Sequence, residues 1–160
     1  MTMVQLHYDS GLWFFDPANP PGGFADDPEG ALREISNSRR VRVLVVDDEP
    51  TITETLVEIL NGEGFDAMAA STGEAGLSSL QSFMPDVIIS DVVMPGMNGV
   101  EFGIRVRSLF PKCRIILFSG QTATVDLLSD ARKHGHEFEI VPKPIKPQNL
   151  IAMIRRGVGN

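Results

Sequence analysis

The chain has 160 residues, enough for one domain and little more. It is 42% hydrophobic and 22% charged, the balance of an ordinary globular protein. The net charge is −7 with no basic run, which excludes nucleic acid and anionic membrane surfaces as expected partners. No apolar stretch reaches the roughly 20 residues of a membrane span. The opening MTMVQLHYDS lacks the basic start and long apolar run of a signal peptide. A single cysteine, Cys113, cannot form an internal disulfide. These features lead to the expectation of a cytoplasmic protein.

Residues 1–38 hold Pro17, Pro20, Pro21 and Pro28 together with Gly11, Gly22, Gly23 and Gly30, and they show no sustained period. They read as an extension, disordered or loosely docked, with one helical turn near Ala31 to Ile35. The only Trp and the only Tyr of the chain, Trp13 and Tyr8, lie here, so a docking role for this aromatic segment stays open. Residues 39–160 form the domain. Val41 to Val46 reads as a buried strand, and Pro50 starts a helix whose apolar residues Ile52, Leu56, Val57, Ile59 and Leu60 recur at helical spacing. Asn61, Gly62 and Gly64 end it. Phe65 to Ala70 is a weaker strand. Ser71 to Phe83 is a helix, with Glu74 placed to close a capping box on Ser71. Asp86 to Ser90 is a third strand, Gly99 to Leu109 a helix, Arg114 to Phe118 a fourth strand, Thr122 to His134 a helix, Glu137 to Val141 a fifth strand, and Pro147 to Arg156 the last helix. Five strands alternating with five helices imply an α/β fold on a parallel sheet, with right-handed connections that place helices on both faces in three layers. Since the chain stops after the fifth helix, a stand-alone domain is expected.

In doubly wound sheets ligands bind beyond the carboxyl ends of the strands. The first strand ends in Asp47 and Asp48, followed by Glu49. The third ends in Asp91, the fourth in Ser119 and Gly120, and the fifth is followed by Lys143 and Pro144. Two carboxylates ~4 Å apart repel by about 4 kcal/mol at an effective dielectric of 20, so three of them call for positive charge. Lys143 supplies one. Oxygen-only ligands select a hard divalent ion such as Mg²⁺ for the rest. Taken singly, each residue has a plainer reading. Asp47 and Asp48 suit a helix N-terminus, Asp91 and Ser119 suit turns, and Lys143 suits a solvated surface.

The segments VLVVDDEP (43–50), DVIISDVVMPGMNGVEF (86–102), LFSG (117–120) and VPKP (141–144) resemble the receiver domain of two-component response regulators. Their order and spacing match from end to end. The resemblance implies a flavodoxin-like doubly wound five-stranded sheet of order 2-1-3-4-5. It implies that Asp91 accepts a phosphoryl group from a histidine kinase or phosphotransfer protein. Asp48 and Asp91 would bind Mg²⁺ by carboxylates, Asp47 through water, and Val93 through its backbone carbonyl. Ser119 and Lys143 would each hold a phosphoryl oxygen, and a downstream protein would read the switch. The family's Lys-Pro pair is usually cis, which Lys143-Pro144 can reproduce. Such a domain is a switch carrying its own phosphorylation and dephosphorylation chemistry, not a turnover enzyme. A homodimer through the last helix stays open.

Two positions depart from the pattern. The family often has an aromatic three residues before the lysine, where this chain has Ile140; Phe138 lies two residues earlier on the same strand face. Switching is therefore expected to move the backbone of the face formed by the fourth helix, fifth strand and fifth helix, with Ser119, Gln121 and Ile140 taking part. Val93 and Gln121 sit where the family tunes the lifetime of the phosphoryl group. Alternatives are a pseudo-receiver that binds without phosphorylation and an Asp-nucleophile phosphohydrolase; the latter wants an acid two residues after Asp91, where Val93 stands. His134 and His136 read as loop histidines, and Cys113 as a packed residue.

Overall fold

The computed structural model describes residues 39–120 and 124–158, together with the backbone of 7–9 and 12–14. The chain divides into two units, Met1–Arg39 and Arg40–Asn160. In the first, His7–Asp9 and Leu12–Phe14 pair as antiparallel strands. The helical turn expected near Ala31 lies outside the described residues, as does Gln121.

The second unit alternates strand and helix throughout. Its elements are β1 (Arg42–Val46), α1 (Pro50–Gly62), β2 (Asp66–Ala70), α2 (Gly73–Phe83), β3 (Val87–Asp91), α3 (Gly99–Leu109), β4 (Arg114–Ser119), α4 (Thr124–Lys133), β5 (Glu139–Pro142) and α5 (Pro147–Val158). The strands form one parallel sheet of order β2-β1-β3-β4-β5. That is the expected flavodoxin-like architecture.

Strand alternation divides the core in two. On one face Leu44, Val46, Ile88 and Leu117 pack with Leu80 of α2, Phe102 and Val106 of α3 and Ala131 of α4. On the other, Val43, Val45, Ile89, Ile116 and Phe118 pack with Leu60 of α1 and with Leu150 and Ile154 of α5. Central strands buried on both faces explain why VLVV, VII and IILF read as unbroken apolar runs rather than as alternation.

The helix starts correct the sequence reading in two places. The N-cap of α2 is Thr72, not Ser71. Thr72 has extended backbone and its hydroxyl accepts from the Ala75 N–H at 3.0 Å. The capping box belongs to α3, where Asn98 accepts from the Glu101 N–H at 2.9 Å and the Glu101 carboxylate accepts from the Asn98 N–H at 3.3 Å. β5 begins at Glu139 rather than Glu137. Arg107 of α3 donates to the Glu137 carbonyl at 2.7 Å and stacks 4.5 Å from the centre of the Phe138 ring, and both contacts draw residues 137 and 138 towards α3.

Candidate functional site

Three neighbouring strands deliver their carboxyl ends to one place. Asp47 follows the last residue of β1, and its N–H donates to the Ala70 carbonyl at 3.2 Å. It is 2% exposed, yet both carboxylate oxygens are engaged: Oδ1 accepts from the Glu49 N–H at 2.9 Å and Oδ2 from Lys143 Nζ at 3.0 Å. Asp48, next in the chain, is exposed. Asp91 ends β3, half-buried, with Oδ2 3.3 Å from the same Lys143 Nζ. Asp47, Asp48 and Asp91 each offer a carboxylate oxygen within 4.8 Å of the others. An all-oxygen donor set of this charge fits a hard divalent cation, and one lysine leaves most of its negative charge unbalanced.

Lys143 is placed by the backbone as much as by its ion pairs. Its N–H donates to the Ser119 carbonyl at 2.8 Å, which ties the end of β5 to the end of β4. The Lys143-Pro144 bond is cis. Ser119 therefore stands beside the lysine, and the bare Gly120 leaves Lys143 Cδ 3.6 Å from where a Cβ would be. Val93 is exposed just after Asp91. Ile140 aligns with Leu117 in the sheet, as the second residue of β5 and three residues before the lysine.

Burial works against ionisation here. It raises the Asp91 carboxyl above the usual aspartate range; Lys143 opposes that rise and the charge of Asp47 adds to it. For Lys143, burial alone would lower the ammonium, but its contacts with Asp47 and Asp91 outweigh burial and raise it. The lysine is thus held charged, and Asp91 is the carboxylate whose charge the fold disfavours.

One residue essential to this geometry escaped the sequence reading. Gly99, the first residue of α3, packs so closely on β3 that a Cβ there would overlap the Asp91 carbonyl oxygen. Its N–H donates to the Val92 carbonyl at 2.8 Å and closes the loop after Asp91. The available signal was a glycine at a helix start, where helix formation itself asks for none.

The response regulator receiver domain family matches residues 43–155. The DNA-binding response regulator MtrA of Mycolicibacterium smegmatis is 34% identical over 119 residues, covering 74% of this chain and 51% of that protein. The chemotaxis response regulator CheY4 of Vibrio cholerae is 30% identical with a TM-score of 0.64, covering 74% of this chain and 98% of that one. A receiver domain protein from Clostridium thermocellum has a TM-score of 0.66 at 28% identity, covering 74% and 94%. The sheet order and the acidic cluster define a response regulator receiver domain, and the chain belongs to that family. It is a signalling switch of two-component systems rather than a turnover enzyme. It spans about half the length of the MtrA relatives it matches. No helix among the described residues is long and apolar enough to cross a membrane.

Proposed function

We propose that Asp91 is the phosphoacceptor and that its modification switches a protein-binding face. An Asp91 carboxylate oxygen attacks the phosphorus of a phosphohistidine donor. The new O–P bond forms as the N–P bond breaks, and the imidazole leaves. The observation that carries this reading is Asp91 on a rigid strand end, with Asp47 and Asp48 oxygens within 4.8 Å and Lys143 Nζ at 3.3 Å. Phosphoryl transfer needs positioning and charge neutralisation more than covalent assistance. Lys143 takes one phosphoryl oxygen and the Ser119 hydroxyl donates to another. Asp48 and Asp91, with Asp47 through water and the Val93 carbonyl, would hold Mg²⁺, which when bound neutralises phosphoryl charge.

The donor is a histidine kinase or phosphotransfer protein, and the output is a downstream protein rather than nucleic acid, in keeping with the net charge of −7. The DNA binding in the name of MtrA belongs to a protein twice the length of the match. The chemotaxis-like type follows CheY4, a chemotaxis response regulator matched over 98% of its own length at 30% identity. Residues 39–160 carry the domain, and Val125 of α4, the helix included in the face proposed to move, is exposed.

Incubation with Mg²⁺ and acetyl phosphate, followed by intact mass, tests the reading. One added phosphoryl group is expected, absent in Asp91→Asn and in metal-free samples. A folded protein that takes neither phosphate nor beryllofluoride would be a pseudo-receiver instead.

A further inference from the structure

Residues 92–98 connect β3 to α3 and follow Asp91 directly, so their conformation decides where the Asp91 backbone and the Val93 carbonyl point. The base of this loop is closed by the Gly99 N–H on the Val92 carbonyl. Its far side is held by a different element. Glu74, in the first turn of α2, accepts through Oε1 from the Met97 N–H at 3.3 Å. The same oxygen lies 3.3 Å from where a Cβ on Gly96 would stand, and Gly96 has a φ of +75°, so the approach depends on bare backbone. The Met97 side chain is buried, and a Cβ on Gly73 would lie 3.2 Å from its Cβ and Sδ. A carboxylate, a turned glycine and a small helix residue thus converge on residues 96–97.

We propose that Glu74 is a positioning residue for the metal and phosphoryl site, clasping the 92–98 loop to α2 so that the Val93 carbonyl and Asp91 keep their cation-binding geometry. This rests on the assignment of Asp91 above. Glu74 acts through the loop, and the role needs its acceptor oxygen rather than its charge. Glutamine presents the same oxygen; alanine presents none.

The test uses the full chain as wild type, Glu74→Gln and Glu74→Ala, without any phosphoryl donor. Amide hydrogen exchange reads the clasp, and amide NMR shifts during a MgCl₂ titration read the site. Glu74→Ala is expected to speed exchange at the Met97 amide and to weaken Mg²⁺ binding about two- to tenfold, the range of one hydrogen bond. Glu74→Gln should keep Met97 protected and the affinity close to wild type. Unchanged Met97 exchange in Glu74→Ala would overturn the proposal. So would equal weakening by Gln and Ala, which would mean that charge acts rather than the clasp. Faster exchange with unaltered Mg²⁺ affinity would also overturn it, because the loop would then be uncoupled from the site. Wild-type amides that ignore Mg²⁺ would bring down the assignment of the site, and this role with it, while the Met97 exchange rates would still tell whether the clasp exists.

Discussion

At the amino ends of the strands, three arginines each meet a carboxylate. Arg114, opening β4, reaches Glu139, opening β5, with Nη2 2.7 Å from Oε2, and its Nη1 donates to the Met153 carbonyl of α5 at 2.8 Å. Arg42, opening β1, stands 3.5 Å from Asp66, opening β2. Arg155 of α5 pairs with Glu63 after α1 at 3.0 Å. At the carboxyl ends of the same strands, three carboxylates share one ammonium. Among the described residues, the amino end of the sheet pairs these charges and the carboxyl end is short of positive charge. The incomplete end is where a cation gains most by binding, and the fold carries that imbalance for the sake of the site.

The largest effect is expected from Gly99→Ala, because the added methyl meets backbone, which cannot swing aside. A loss of about 4 kcal/mol in urea unfolding is expected, together with loss of the Mg²⁺-induced amide shifts. A loss below ~1 kcal/mol would show that the loop after Asp91 yields easily and that the site end is softer than its contacts imply.

A paired experiment sharpens the contrast between the two ends. Lys143→Met strands Asp47, whose side chain is 3% exposed, and should cost about 3 kcal/mol without metal. Millimolar Mg²⁺ should restore much of that loss, since a ligand that binds only the folded state stabilises it. Arg114→Met removes a partly exposed pair and a carbonyl contact, and should cost about 1–2 kcal/mol whether or not Mg²⁺ is present. If Mg²⁺ rescues both variants equally, the two ends do not differ in the way described.

The sheet and the placement of its candidate site were legible because both are written locally. A strand buried on both faces is an apolar run, and the residue after that run marks the carboxyl edge of the sheet: Asp47, Asp91 and Ser119 were placed there this way. What stayed hidden depends on partners distant in sequence or on backbone angles. Ser71 and Thr72 are equivalent as patterns, and only the extended backbone of Thr72 makes it the cap. The Asn98–Glu101 box is visible as a spacing, but it stands after an irregular loop that no strand or helix pattern marks. The Arg114–Glu139 pair is separated by 25 residues, and Arg107 from the Glu137 carbonyl it draws in by 30, so no window along the chain contains either. The tight approach of Gly99 to Asp91 is a matter of packing and leaves only a glycine to notice.

The smallest effect is the most direct probe of the imbalance. Burial, aided by the charge of Asp47, holds the Asp91 carboxyl above its ordinary range despite Lys143. Between the unfolded value of ~3.9 and the raised folded value, the folded chain binds more protons than the unfolded one, so stability falls as pH rises through that interval. Asp91→Asn has no charge to bury. The metal-free variant is therefore expected to be more stable than wild type at pH 7, with its advantage shrinking as pH falls through the folded value and gone below about 3.9. Adding Mg²⁺ at pH 7 should reverse the order, because wild type gains a bound cation and the variant has lost a ligand. Urea midpoints at pH 7 and near pH 4, with and without chelator, decide it. A metal-free variant less stable than wild type at pH 7 would mean that the Lys143 contact outweighs burial, and that the carboxyl end of the sheet is balanced after all.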